Sequence, residues 1–274
     1  MQVMQQARKM QIQGQNILHL EVGQPSAAPP IAVLNALKSS LRRTEYHGYS
    51  VGLGLPGLRK RISEHYDDWY RLRVDWNNIA ITPGSSLGFV IAFLSAFDRG
   101  DQVAIATPGY PAYYNILLAL GLKPYLVPAR SEQNWIAELD ALKKKGTKPD
   151  GLLLASPANP TGVVMSDDEL IRVCKWCDKH GVRLIMDEIY HGITFSHKPN
   201  SALAYSSNVI IINSFSKYFC MTGWRLGWMV LPDDLVTTAE RLAQNLYISA
   251  PTINQVGAIA AFDCYDELNS HVIR

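Results

Sequence analysis

The stretch IIINSFSKYFCMTGWRLGW, Ile210 to Trp228, opens as a buried strand and then changes character. Three consecutive isoleucines give way to Asn213, Ser214 and Ser216, and Lys217 sits among these small polar residues. Arg225 follows between Trp224 and a Leu-Gly-Trp run that again reads as strand. An unpaired charge is costly to bury. A lysine and an arginine at the mouth of an apolar sheet are therefore either ordinary surface charges or groups that a ligand or partner neutralises.

Outward from that stretch the chain alternates. NIAIT, DQVAIAT, KPYLVP, GLLLAS, VRLIMDE, NVIIINS and RLGWMVL are short, mostly apolar runs. SSLGFVIAFLSAF, YYNILLAL, IAELDALKKK and SDDELIRVCKWCDKH lie between them and carry helical periodicity. Continuously apolar strands are those covered on both faces, as in a parallel sheet with crossover helices. The expected fold is therefore α/β, a mostly parallel sheet of about seven strands with helices on both sides. Residues 1–35 read as an arm with one amphipathic helix and a Pro-rich passage, HLEVGQPSAAPP. Residues 36–248 form the main body, and 249–274 open a further, smaller unit that resumes helical periodicity after ISAPT.

Composition narrows the function. The 274 residues are 47% hydrophobic and 18% charged with a net charge of +2, a balance that leaves no basic face for nucleic acid. The clusters RRTEYH and KKKGTK are short enough to be solvated surface. The first residues lack a continuous apolar core of a signal peptide. No run approaches the roughly 20 apolar residues of a membrane span. Four cysteines in a chain this long do not make a disulfide framework, so the expected setting is the cytoplasm. Cys174 and Cys177 form CKWC inside a helical pattern. A zinc site wants four ligands and no second pair exists, so helix-face packing is the reading.

In open α/β sheets ligands bind at the carboxyl ends of the strands. After NIAIT come Pro83, Gly84, Ser85 and Ser86 before a helix. The serines fit either a plain cap or, with the free N–H groups there, a phosphate site. After DQVAIAT comes PGYPAYY, where Tyr110 can pack on its neighbours or lie over a flat ligand. After GLLLAS, Asn159 stands in NPTG, either a turn residue or an amide aimed into the crevice. Asp187 closes VRLIMD and needs a cationic partner, with Glu188 and Tyr190 beyond it. A lysine in a dry crevice, as Lys217 would be, has a lowered pKa and serves as nucleophile or base. Arg225 can hold a phosphate through a bidentate pair.

These residues resemble the class I/II aminotransferases of the fold-type-I pyridoxal-phosphate enzymes. The motifs are GQP from Gly23, YSVGLGLPGLR from Tyr49, PGSS, PGYPAY, NPTG, DEIY and SFSKYFCMTGWRLG, in the family's order from about residue 16 onward. The resemblance implies pyridoxal 5'-phosphate as cofactor, with Lys217 carrying it covalently and moving a proton at the substrate. It implies that Asp187 pairs with the ring nitrogen, that Tyr190 and Asn159 hold the ring oxygen, and that Tyr110 stacks on the ring. Arg225, Ser214, Ser85 and Ser86 would bind the phosphate, with Ser216 a further candidate. Tyr49 would reach the phosphate of the other subunit of a homodimer, and the Gly23 N–H would meet the substrate carboxylate near Asn159. The implied reaction moves an amino group between an amino acid and a 2-oxo acid by a ping-pong route.

GLGLPG, Gly52 to Gly57, fits a dinucleotide fingerprint, but the polar LRRTEYHGYS before it is no strand. Family members continue into a small C-terminal domain bearing a carboxylate-binding arginine. Arg274 does not match that arginine's surroundings, so the expectation is a truncated small domain that leaves the helix from Thr252 short of packing partners. Asn245 stands where dicarboxylate-specific members carry an arginine, which disfavours aspartate or glutamate as substrate. A lyase or synthase on the same scaffold, a non-catalytic cofactor-binding module and an inactive fragment remain alternatives.

Overall fold

The computed structural model describes residues 2–128, 148–195 and 198–273. Its strands are β1 (Ile79–Thr82), β2 (Gln102–Thr107), β3 (Lys123–Pro128), β4 (Gly151–Ala155), β5 (Arg183–Asp187), β6 (Ile210–Ser214) and β7 (Gly227–Val230). They form one seven-stranded sheet in the order β1-β7-β6-β5-β4-β2-β3. Only β7 runs against its neighbours, pairing antiparallel with β1 and β6.

The described helices are α1 (Gln2–Ile12), α2 (Ile31–Ser40), α3 (Pro56–Tyr70), α4 (Ser85–Ala96), α5 (Pro111–Ala119), α6 (Asp167–His180), α7 (Asp233–Leu246), α8 (Thr252–Ala261) and α9 (Tyr265–Ile273). Parallel neighbours need a crossover connection: α5 supplies the one from β2 to β3 and α6 the one from β4 to β5, while α4 carries the chain from the β1 edge across to β2. The helix expected over IAELDALKKK lies outside the described residues, as does Arg274.

Alternate strand residues enter two separate cores, as the period of two requires. Ile79, Ile81, Leu152, Leu154, Leu184, Met186 and Ile211 pack on one face with residues of α3, α6, α8 and α9. Ala80, Leu153, Ile185, Ile210, Ile212 and Met229 pack on the other with residues of α4, α5 and α7. The sequence reading of a doubly covered sheet holds in the register itself.

Some elements differ from the reading. The helices α2 and α3 occupy a stretch where no helix was expected. The final periodic run is split into α8 and α9 at Phe262–Cys264. The apolar face of α8 is not exposed: Thr252, Gln255, Gly257, Ala258 and Ala261 are buried, and α8 packs against α2 and α3. The CKWC cysteines are free and buried in α6, where burial raises the Cys174 thiol to about 12 and raises Cys177 as well. Both pack as small apolar groups, as expected. The glycine-rich stretch from Gly52 follows a turn of 3-10 helix, Thr44–Tyr46, and not a strand.

Gly227 pairs with Thr82 of β1 and with Ser214 of β6. A methyl group there would lie 2.8 Å from the Asn213 carbonyl oxygen and 2.8 Å from the Ser85 nitrogen. Both obstacles are backbone, which cannot turn aside. Gly227→Ala is expected to lower the unfolding free energy by about 1–3 kcal/mol through overpacking. Urea denaturation checks this, and an unchanged midpoint would show that the strands separate without cost.

Candidate active site

The sheet register gathers the candidate residues. Ala155 is level with Asp187, Asp187 with Ile212, and Ser214 and Thr82 both with Gly227. The carboxyl ends of β1, β4, β5 and β6 therefore share one edge. The segments that leave this edge carry Ser85, Asn159, Tyr190, Lys217 and Arg225.

Lys217 is half-buried in the turn after β6. Its Nζ donates to the Gly23 carbonyl at 2.5 Å and lies 5.9 Å from the centre of the Tyr190 ring. Burial and the neighbouring Arg225 charge lower its pKa, and Asp187 opposes them. Gly23 thus meets Lys217 through its carbonyl and not through the N–H read from the sequence. Tyr190 accepts a hydrogen bond from Asn159 Nδ2 at 3.3 Å. The Tyr190 pKa is raised, by burial first and then by the Asp187 charge.

Asp187 is 4% exposed at the end of β5. Burial raises its pKa to about 6 against the pull of the Tyr113 hydroxyl, the Ile189 N–H and the Lys217 charge. The Ile189 N–H donates to Oδ1 at 3.0 Å, and the Tyr113 hydroxyl donates to Oδ2. Tyr113 was not among the sequence candidates. It lies in an apolar helical run, and the available signal was that a buried tyrosine hydroxyl wants a partner. Tyr110, 41% exposed, stands edge-on to the Tyr113 ring.

The other end of the site is an anion cradle. Gly84, at φ 79°, is the N-cap of α4, and no side chain caps that helix. Ser85 and Ser86 therefore begin the helix instead of capping it. The unpaired N–H groups and the macrodipole of a helix start favour negative charge. A methyl group on Gly84 would collide with the Arg225 guanidinium, so that cation stands directly at the helix start. Arg225 adopts a left-handed backbone, φ 52°, and donates from Nη1 to the Thr222 carbonyl at 2.9 Å. It makes no ion pair among the described residues. Ser214 donates through its hydroxyl to Ser216 Oγ at 2.9 Å or to the Leu226 carbonyl at 3.1 Å. The residues present fit a flat, phosphorylated heteroaromatic group: a cation at a bare helix start, a buried carboxylate, a lysine and a flanking aromatic ring.

A cleft of about 520 Å³ adjoins the site, lined in part by Asn159, Tyr190, Ile193 and Phe195. Tyr49 is 81% exposed. No cluster of three or more His, Cys, Asp or Glu suited to a metal occurs among the described residues.

Comparison with known proteins agrees with this geometry. A family model described as aminotransferase class I and II matches residues 15–273. A valine–pyruvate aminotransferase of Mycobacterium tuberculosis is 42% identical over 90% of this chain and 64% of its own length. A (5-formylfuran-3-yl)methyl phosphate transaminase of Methanocaldococcus jannaschii is 36% identical over 96% of this chain and 69% of its own length. The crystal structure of an aminotransferase from Mycobacterium tuberculosis superposes with a TM-score of 0.94 at 39% identity, over 99% of this chain and 71% of that one. The chain thus spans about two thirds of the length of these relatives.

The buried carboxylate gives a pH dependence. Asp187 has a folded pKa raised from 3.8 to about 6, so folding favours its protonated form. Its contribution to stability is therefore full below pH ~4 and is lost as pH rises through about 6. Asp187→Asn should remove that loss, gaining on the order of 2–3 kcal/mol relative to the parent between pH 4 and pH 7. Thermal unfolding of the cofactor-free chain across that range checks it.

Proposed function

The chain belongs to the class I and II aminotransferase family, and on that premise we propose that it binds pyridoxal 5'-phosphate and moves an amino group between an amino acid and a 2-oxo acid in two alternating half-reactions. The observation that carries this reading is the placement of Lys217 between two oppositely charged subsites. Arg225, at the start of α4, leads into β7 on one side of β6, and the buried Asp187 ends β5 on the other. Both influence the same amine, and the two suit the phosphate and the ring nitrogen of one small molecule.

When bound, pyridoxal phosphate supplies a carbonyl carbon for a primary amine and a ring that takes up electrons from the substrate. Lys217 would hold the cofactor through Nζ and would serve as the base that moves a proton at the substrate α-carbon. Its lowered pKa favours the neutral amine that both tasks need. Asp187 accepts the ring N–H and keeps that nitrogen protonated. The Asn159 amide and the Tyr190 hydroxyl hold the ring oxygen, and Tyr110 covers one ring face. Arg225, Ser85, Ser86 and the helix N–H groups bind the phosphate, with the Ser214–Ser216 hydroxyl pair beside the Leu226 carbonyl. Gly23 and Asn159 border the substrate.

The partner in this reading is a second copy of the chain. The helix α1 buries no residue of its own. Leu18, Leu20, Tyr49, Val51 and Ile248 are exposed, a set of apolar side chains that a homodimer would cover. Tyr49 would then reach the phosphate of the other subunit. The same reading divides the chain into an arm ending near α2, a cofactor-binding body to residue 248, and the start of a smaller unit beyond. No described helix is long and apolar enough to cross a membrane. The buried free thiols suit a reducing compartment, and we place the protein in the cytoplasm.

Mixing the purified chain with pyridoxal phosphate should produce the visible absorbance band of a lysine-bound cofactor. Adding amino acids singly, valine and alanine ahead of aspartate given Asn245, should convert that band to the aminated form. Lys217→Ala should abolish the band while leaving the folded circular dichroism. Arg225→Ala should weaken cofactor binding about 10- to 100-fold, the loss of charge-assisted hydrogen bonds. A band that survives Lys217→Ala would refute the assignment.

A further inference from the structure

Asp187 has a dedicated partner that the ring-nitrogen role leaves unexplained. The strand β2 ends at Thr107, and α5 starts at Pro111, whose ring pre-sets the first helical φ. Within the first turn Tyr113 turns inward and is 5% exposed. Its ring meets Phe89 of α4 at 5.0 Å and Tyr110 at 5.4 Å, the latter at 86°. Its hydroxyl donates to Asp187 Oδ2.

We propose that Tyr113 is the positioning residue of the cofactor-ring subsite, its hydroxyl fixing the Asp187 carboxylate toward the ring nitrogen and its ring propping Tyr110 over the ring face. This rests on the cofactor reading above. A carboxylate offers about four acceptor sites on two oxygens. The Ile189 N–H occupies Oδ1 at 3.0 Å and Tyr113 occupies Oδ2, which fixes the plane of the group and leaves acceptor capacity for a third donor. Tyr113 is suited to this because it cannot compete for the charge. Burial and the Asp187 carboxylate hold its phenol well above the ordinary range, so it donates without ionising.

The other charged or titratable groups around Asp187 do different work. Glu188 accepts from the Ser201 hydroxyl at 3.0 Å and the Ala202 N–H at 2.9 Å. Tyr190 is held by Asn159, and Lys217 acts on Asp187 through its charge. Tyr113 is the side chain that both hydrogen-bonds Asp187 and touches Tyr110.

The test is a double-mutant cycle on Tyr113→Phe and Asp187→Asn, read two ways. Titration with pyridoxal phosphate should show Tyr113→Phe weakening binding about 3- to 10-fold, the net worth of one ordinary hydrogen bond, because Tyr113 acts on the cofactor only through Asp187. In the Asp187→Asn background the same change should cost less than about twofold, because its route to the cofactor is gone. Without cofactor, the thermal midpoint of Tyr113→Phe should fall further below the parent as pH rises from 4 to 8. The ionised carboxylate then lacks its donor, and the trend should be flat with Asp187→Asn. Equal binding losses in both backgrounds, or a pH-independent midpoint difference, would reduce Tyr113 to packing. A Tyr113→Phe chain that does not fold would overturn the proposal in favour of a folding role. If the parent binds no cofactor, the reading beneath the proposal fails, while the cofactor-free midpoints still decide whether Tyr113 and Asp187 are coupled.

Discussion

One electrostatic conflict organises this molecule. Arg225 stands at the uncapped start of α4, where the helix dipole already places positive charge, and its field also lowers the Lys217 pKa. A cation is unfavourable at a helix N-terminus. The arrangement is reasonable only if an anion sits between guanidinium and helix start and relieves both. On the far side of β6, Asp187 has the opposite deficit, a carboxylate buried in an apolar sheet. A ligand carrying a phosphate at one end and a proton-bearing ring nitrogen at the other resolves both conflicts, with its reactive centre at the lysine between them.

The sheet is what holds these groups at fixed separations. Because β7 runs antiparallel between β1 and β6, the end of β1 and the end of β6 are both paired to the start of β7. Gly227 makes that junction tight enough for the α4 turn to sit on it. Arg225, two residues earlier, takes a left-handed backbone to turn toward Gly84. Strained backbone of this kind persists where the surroundings over-determine it. Here those surroundings are two strand pairings and a helix start.

Most of the strands were legible in the sequence because both faces are buried, which makes those runs continuously apolar; the edge strand β3 is largely exposed. The charged and amide residues were legible because they interrupt those runs at their ends. Lys217 and Asp187 are conspicuous for that reason. Other features were hidden. The stretch occupied by α3, PGLRKRISEHYDDWY, is mostly polar, and its buried side is carried by Leu58, Ile62, His65 and Tyr66. The break between α8 and α9 occurs within a run, AIAAFDCYDEL, that reads as one continuous helical pattern. Ser85 looked like a cap, yet the cap position falls to Gly84, whose missing side chain makes room for Arg225. Tyr113 was silent because YYNILLAL reads as helix filler, and only the fold brings its hydroxyl to Asp187, 74 residues away.

The central claim is that Lys217, and no other lysine, is the residue this edge of the sheet was built around. The most direct measurement is to bind pyridoxal phosphate at stoichiometric concentration, fix the linkage by borohydride reduction and map the modified peptide by mass spectrometry. The account predicts a single adduct at Lys217, suppressed when inorganic phosphate competes at the Arg225 cradle. Adducts scattered over surface lysines, or one dominant adduct elsewhere, would contradict it.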